Sequence, residues 1–177
     1  MKTKLLSCLL LALLLAFLCG CSADDKEKGN ENSSLCFEYS DWVNPNQKNI
    51  FSTEQNLIQK DMVSEKPVTA EWKISGKDRA AIEKMIRDYQ LPGLIEEYKR
   101  YEEGLETYYM SSPEISIEFC FTLDDHEYRI ATTQAMLNFI PKDMKIHDLT
   151  DFFAELKNTL CAQKAYQSLP KAKSSYQ

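Results

Sequence analysis

The sequence predicts an α+β domain: a two-layer fold in which an antiparallel sheet of five or six strands carries two long helices packed on one face. Several segments alternate apolar and polar residues, a pattern that indicates strands with one buried and one exposed face. Two other segments repeat apolar residues at helical spacing and therefore indicate amphipathic helices. Strands with one polar face favour an antiparallel sheet, because buried parallel strands are apolar on both faces.

The strand predictions follow the chain in order. Residues 35–40 alternate, and an Asn-Pro-Asn turn at 44–46 comes next. Residues 50–63 are interpreted as an edge strand. Residues 68–74 show the clearest alternation in the chain, with Trp72 on the apolar face. Residues 115–130 alternate on both sides of a polar turn, which predicts a β-hairpin.

The two long helices have recognisable beginnings. Ser75 opens a capping-box pattern, and apolar residues then recur over 82–89 on one helical face. A short helical stretch is expected around 94–98. Asp148 is the expected N-cap of the last helix, which should continue until Pro170.

The first residues indicate export and a lipid anchor. Lys2 and Lys4 precede an apolar run over 5–18, which is too short to cross a bilayer and typical of a signal peptide. Leu18, Cys19, Gly20 and Cys21 resemble the lipobox of bacterial lipoproteins. The resemblance implies that residues 1–20 are removed and that acylated Cys21 binds a lipid bilayer. The alternative is an ordinary secretory peptide that leaves Cys21 as a thiol.

The remaining chain divides into three parts. Residues 21–34 comprise the lipidated cysteine and a polar tether without large apolar side chains, which should be disordered. Residues 35–170 form one domain and 171–177 a flexible tail. Ser22, in place of Asp, resembles lipoproteins sorted to the outer membrane, and Asp24 with Asp25 resembles some surface-export signals. Both implications place the domain in the cell envelope, facing the periplasm or the surface.

Charge limits the partners. Without residues 1–20 the chain keeps 19 basic and 27 acidic residues, a net charge of −8. Nucleic acid is excluded as a partner, because phosphate binding relies on basic surfaces. The length suits a single domain that folds without metal as a monomer.

Two polar features could form a metal site or a catalytic site. The cluster Asp124–Glu127 offers oxygen and imidazole ligands for a cation, but its position between two strands favours a hairpin turn without metal. His147 could pair with Cys120 or with a carboxylate in a hydrolytic arrangement. No spacing requires that pairing and no catalytic or cofactor motif is found, so a non-enzymatic protein is predicted.

The aromatic residues suggest a binding role. Six side chains could form a sugar-stacking platform: Trp42, Trp72, Tyr98, Tyr101, Tyr108 and Tyr109. Tyr101, Tyr108 and Tyr109 are the least committed to the core and form the predicted ligand surface. A binding module for a glycan or a protein is favoured. An envelope-assembly protein and a hydrolase that uses carboxylates are the alternatives.

If residues 1–20 are removed and Cys21 is acylated, three cysteines remain: Cys36, Cys120 and Cys161. Three cysteines allow at most one internal bridge. Cys36 and Cys120 lie on polar strand faces, so they could form a disulfide if their strands are neighbours and the two residues are directly opposed. Cys161 should point away from the sheet as the odd thiol. Alternatively, all three are free.

The order of elements over 68–169 resembles small secreted and lipoprotein domains of gut-type bacteria. The shared features are a Ser-capped helix, a strand pair, and Phe139 with Pro141 before a final helix. Such domains have no assigned activity, so the resemblance implies an architecture and no reaction.

Overall fold

The computed structural model describes residues 34–105 and 114–176, and these form an α+β fold. The described elements, in chain order, are β1 (Cys36–Asn44), β2 (Gln47–Ser52), β3 (Leu57–Lys60), β4 (Val68–Glu71), α1 (Gly76–Asp88), α2 (Leu91–Glu103), β5 (Ser116–Leu123), β6 (His126–Thr133), α3 (Gln134–Phe139), α4 (Asp148–Cys161) and α5 (Lys164–Ser168). A 3-10 turn at Lys145–His147 precedes α4. The predicted lipobox and Cys21 lie outside the described residues.

The six strands form one open antiparallel sheet in the order β4-β3-β2-β1-β5-β6. The predicted antiparallel sheet is therefore confirmed. The prediction of a single edge strand over 50–63 is wrong. This segment contains part of β2 and all of β3, and both strands lie inside the sheet. The chain reverses between them, where Asn56 adopts a left-handed φ of 51° that asparagine tolerates better than most residues.

One face of the sheet forms the core with the helices. Phe37 and Tyr39 of β1 are at most 2 % exposed, whereas Glu38 between them is half-buried. The buried cluster also contains Phe51, Ile58, Phe119 and Ile130 from the sheet, and Ile82, Ile86, Leu94, Ile95, Phe152 and Leu156 from the helices. Burying each large apolar side chain contributes roughly 1.5–3 kcal/mol.

The described residues contain three long helices, whereas the sequence predicted two. Helices α1 and α2 have 13 residues each, and α4 has 14. The short helical stretch predicted around 94–98 is part of the full helix α2. Pro92 does not break this helix, because it lies in the first turn, where proline is tolerated. Gln90, at a φ of 52°, separates α1 from α2.

The predicted helix starts are partly confirmed. Ser75 caps α1 by accepting a hydrogen bond of 3.1 Å from the Asp78 amide. Asp148 lies in the first turn of α4, after the N-cap His147. The final helix does not continue to Pro170: α4 ends at Cys161, and the short α5 follows after a break.

The residues after α5 lie against the β3–β4 connection. Ser174 contacts Ser64 at 2.8 Å, Lys173 pairs with Glu65 at 2.9 Å, and Tyr176 donates a hydrogen bond to Asp61 at 2.7 Å. The segment expected to be a flexible tail therefore makes side-chain contacts. In the described part of the chain, none of the helices is both long enough and apolar enough to cross a membrane.

Candidate functional site

A cleft of about 450 Å³ opens where β1 and β6 end and β5 begins. Its lining residues come from distant parts of the chain: Trp42, Glu102, Leu105, Ser116, Ile117, Ala131, Thr132, Thr133 and Met136. We call it the Trp42 cleft. Small-molecule sites have volumes of roughly 300–1,000 Å³ and combine apolar walls with a few polar groups. The Trp42 cleft has both properties.

Trp42 provides the aromatic wall. It is half-buried near the end of β1 and faces Ser116 across the β1–β5 ladder. The Lys48 ammonium lies 3.8 Å from the ring centroid, a cation–π contact. Lys48 does not line the cleft. The contact therefore restrains the indole without filling the space beside it.

Two hydroxyl groups of the cleft are held by neighbouring elements. Thr132 Oγ1 lies 2.7 Å from the hydroxyl of Tyr98, which is buried on α2. Thr133 Oγ1 caps α3 by accepting a hydrogen bond of 3.1 Å from the Met136 amide. Side chains fixed in this way lose little rotamer freedom when a ligand binds.

A buried carboxylate lies beside the cleft on the core side of β1. Asp41 is 4 % exposed, and it precedes Trp42 and pairs with Ile117 in the sheet. Its oxygens accept hydrogen bonds from Asn49 Nδ2 at 2.7 Å and the Tyr39 hydroxyl at 2.8 Å, and Lys157 Nζ lies at 2.9 Å. Buried charges need such partners. Asp41 therefore anchors the end of β1.

Burial raises the pKa of Tyr39, and the adjacent Asp41 carboxylate raises it further. The phenol stays protonated and keeps donating to Asp41. The sequence contains a signal for this network. Asp41 follows Leu35, Phe37 and Tyr39 at the same two-residue spacing, so it lies on the apolar face of the strand. A charged residue on the face of a strand that packs against the core is buried and therefore needs a partner.

The predicted ligand surface is only partly described. Tyr101 is half-buried and lines a separate depression of about 400 Å³ with Arg100, Met144 and Ile146. Tyr108 and Tyr109 lie outside the described residues. Trp42, also in the predicted aromatic set, lies in the cleft instead.

The cysteines do not have the expected geometry. Strands β1 and β5 are neighbours, but Cys36 pairs with Thr122, and Cys120 pairs with Glu38. The direct opposition that a Cys36–Cys120 disulfide requires is therefore absent, and both thiols are free. Diagonal neighbours lie about 7–8 Å apart, beyond the usual Cα separation of a disulfide. A bridge would require a two-residue slip of the ladder.

Cys161 is not directed away from the core. Its half-buried side chain packs against the hydrophobic cluster, because the chain turns back after α4 and brings Tyr166 over it. Burial raises the pKa of the Cys161 thiol, while nearby Lys157 lowers it by a smaller amount. The expected outward orientation is therefore wrong.

The acidic cluster forms the predicted hairpin turn. Asp124 and Asp125 have φ values of 50° and 62° and connect the paired residues Leu123 and His126. Positive φ at both positions is typical of a type I′ turn. Arg87 donates to the Asp124 carboxylate at 2.9 and 3.0 Å and lowers its pKa. Across the described ranges, no cluster of three or more His, Cys, Asp or Glu side chains could hold a metal.

His147 and Cys120 have different partners. The His147 ring donates from Nδ1 to the Ile140 carbonyl at 3.2 Å. The Cys120 thiol lies beside Glu118 on the polar face of the sheet. Burial and that carboxylate raise the pKa of the Cys120 thiol, which lowers its thiolate fraction and its nucleophilicity.

Comparison of the chain with protein-family models, with curated proteins and with solved structures finds no match.

Proposed function

We propose that the chain is a lipid-anchored, non-enzymatic binding module of the cell envelope, and that its ligand is a saccharide held in the Trp42 cleft. One observation carries this proposal: the cleft combines an indole with the hydroxyl side chains of Ser116, Thr132 and Thr133. The adjacent Ile117 and Met136 are buried and supply an apolar floor.

The mixture of groups suits a sugar ring. A pyranose has an apolar face of C–H groups, which can stack on an indole, and a rim of hydroxyls, which can bond Ser116 and Thr133. Glu102 adds an exposed carboxylate that can accept from ligand hydroxyls. Tryptophan suits such a site because it offers a large contact area with little loss of side-chain freedom.

The anchor in this proposal is acylated Cys21, held in the outer membrane. The lipobox pattern and Ser22 support this placement. Thirteen tether residues would span roughly 20 Å, enough to keep the two-layer domain clear of the lipid surface. A short tether also confines the cleft to ligands near the envelope.

A glycan array tests the proposal. The full-length protein in detergent is applied to immobilised saccharides together with Trp42→Ala and the control Tyr101→Ala, which alters a different depression. We expect selective binding that Trp42→Ala weakens at least about tenfold, since losing an aromatic anchor costs on the order of 2 kcal/mol. Tyr101→Ala should bind like the unmodified chain. Absence of saccharide binding, or equal loss in both variants, contradicts the proposal.

A second candidate function, envelope assembly through a protein partner, is favoured by exposed apolar side chains. Phe139 is 66 % exposed and Met144 39 %. Cross-linking in cells with a photoreactive residue at Met144 tests this role. A discrete cross-linked protein supports it, and its absence leaves the binding module as the better account.

A further inference from the structure

Strand β6 forms one edge of the sheet, because β5 is its only neighbour among the described strands. It pairs with β5 at every position from His126 to Thr133 without a register shift. The opposite edge strand, β4, has four residues and directly follows Pro67. A long regular edge can pair with another chain unless a proline or a bulge interrupts it. Strand β6 contains neither, so it is the edge at which another strand can add.

One hydrogen bond shows which backbone groups of β6 face outward. The Gln134 amide donates to the Ile115 carbonyl, at the start of the β5 side of the hairpin, at 2.8 Å. Because backbone groups alternate in direction along an antiparallel strand, the even-numbered residues of β6 bond β5 and the odd-numbered ones face away from the sheet. Glu127, Arg129 and Ala131 are exposed. Their outward amides and carbonyls have no hydrogen-bond partner among the described residues.

The charges on β6 favour a second copy of the same strand as the partner. Glu127 and Arg129 flank Tyr128. In an antiparallel pair centred on Tyr128, Glu127 of each copy lies opposite Arg129 of the other. Opposite charges directly across a ladder stabilise it. A centre at Arg129 would oppose two arginines, and a centre at Ile130 would place Arg129 opposite Ala131. The charges therefore select the register centred on Tyr128.

Both charged side chains are accessible for this pairing. The Arg129 side chain is 68 % exposed, although it forms an ion pair with Glu118 of β5. A guanidinium has five N–H donors, so Arg129 can bind a second carboxylate while it keeps the first. Glu127 is exposed next to the hairpin turn. The edge can therefore supply both members of each cross-strand pair.

We propose that β6 pairs antiparallel with β6 of a second copy, so that the chain forms a twofold-symmetric dimer with one continuous sheet. The ladder covers residues 126–130 of each copy. A contact of this length is typical of a weak dimer, and it replaces the monomer expected from the sequence. Residues 131–133, which line the Trp42 cleft, lie outside the ladder. The dimer is therefore independent of the saccharide proposal.

Disulfide cross-linking of the full-length protein in detergent tests the proposal. The two copies of Tyr128 would form a non-hydrogen-bonded pair with Cα atoms about 4.5 Å apart, within the disulfide range. We expect Tyr128→Cys to give a linked dimer on a non-reducing gel after oxidation, above the background of the unmodified chain. The control Ala131→Cys lies on the same exposed edge, but its two copies would be about 20 Å apart along the strands. It should stay at the background.

Charge reversal in the Tyr128→Cys chain tests the register. Glu127→Lys or Arg129→Glu places like charges opposite each other in both pairs, so each should lower the yield of linked dimer at least about tenfold. An equimolar mixture of the two variants should restore the yield, because each reversed charge then meets its opposite. Glu127→Lys changes an exposed side chain and stays decisive if Arg129→Glu, which loses the Glu118 pair, fails to fold.

Three results would overturn the proposal. The first is a Tyr128→Cys chain that stays monomeric, which would leave the β6 edge to a strand of a different protein. The second is equal cross-linking of Tyr128→Cys and Ala131→Cys. The third is an undiminished yield with Glu127→Lys.

Discussion

Asp41 on β1 and Lys157 on α4 form an ion pair of 2.9 Å across the interface between the sheet and a helix. The Asp41 side chain is 5 % exposed, whereas that of Lys157 is 45 % exposed. Tyr39 and Asn49 complete the coordination of the carboxylate. This network fixes the strand end that carries Trp42, so the Trp42 cleft depends on it.

Replacing Lys157 with Met keeps the apolar stem and removes the charge from the Asp41 carboxylate. We expect Lys157→Met to lower the free energy of unfolding by about 1.5 kcal/mol, the size of one hydrogen bond to a charged group. The control is Lys84→Met, which breaks an exposed pair with Asp88 and should cost less than about 0.5 kcal/mol. Urea denaturation measures both, and equal losses would show that the buried pair has no special role.

Tyr39 should make the fold sensitive to high pH. Because its pKa is raised in the folded state, its contribution to stability is complete below the ordinary tyrosine pKa of about 10 and is lost as pH rises above it. Above pH ~10, one tyrosine with a raised folded-state pKa lowers the free energy of unfolding by about 1.4 kcal/mol per pH unit. Tyr39→Phe should be less stable at pH 7 but should show a shallower decline above pH ~10 in urea denaturation series. An unchanged slope would contradict this assignment.

Val63 adopts a left-handed φ of 62°. Its backbone amide donates a hydrogen bond of 2.6 Å to the Asp61 side chain. Left-handed backbone costs a β-branched residue roughly 1–2 kcal/mol. Val63→Gly should therefore leave the melting temperature unchanged or raise it, although glycine usually destabilises. Val68→Gly, in the regular strand β4, is the matched control and should lower it. A similar drop in both variants would show that Val63 is unstrained.

The three described thiols should be free in the purified protein. Non-reducing peptide mapping after alkylation of the unfolded chain should recover Cys36, Cys120 and Cys161 as separate modified peptides. In the folded state, Cys120 and Cys161 should react slowly at neutral pH, because their raised pKa values reduce the thiolate fraction. A linked Cys36–Cys120 peptide would show that the β1–β5 ladder has a different register.

Local signals explain what the sequence could predict. The β5–β6 hairpin and the Ser75 cap depend on residues close together in the chain, and both are confirmed. The pairing of β1 with β5 joins residues about eighty positions apart, and one sequence carries no local signal for it. The sequence therefore left open whether Cys36 and Cys120 are directly opposed, and the register shows that they are not.

The site was harder to predict than the fold. Trp42 belonged to the predicted aromatic set, but its role depends on Ser116, Thr132 and Met136, which the tertiary fold brings together. Tyr101 belongs to the predicted ligand surface because the sequence pattern does not commit it to the core, yet it packs partly against the core. Helix α2 is longer than the predicted stretch around 94–98, because its buried face already begins at Leu91, one residue before Pro92.

Fluorescence of Trp42 tests the central claim, ligand binding in its cleft, most directly. The variant Trp72→Phe leaves Trp42 as the only tryptophan of the full-length chain, so its emission reports the cleft alone. The titrants are the saccharides selected on the array, with Ile117→Ala as a variant that alters the cleft floor. We predict a saturable change in emission for Trp72→Phe and a weaker apparent affinity when Ile117→Ala is added. Emission that stays constant across the titration would contradict the account.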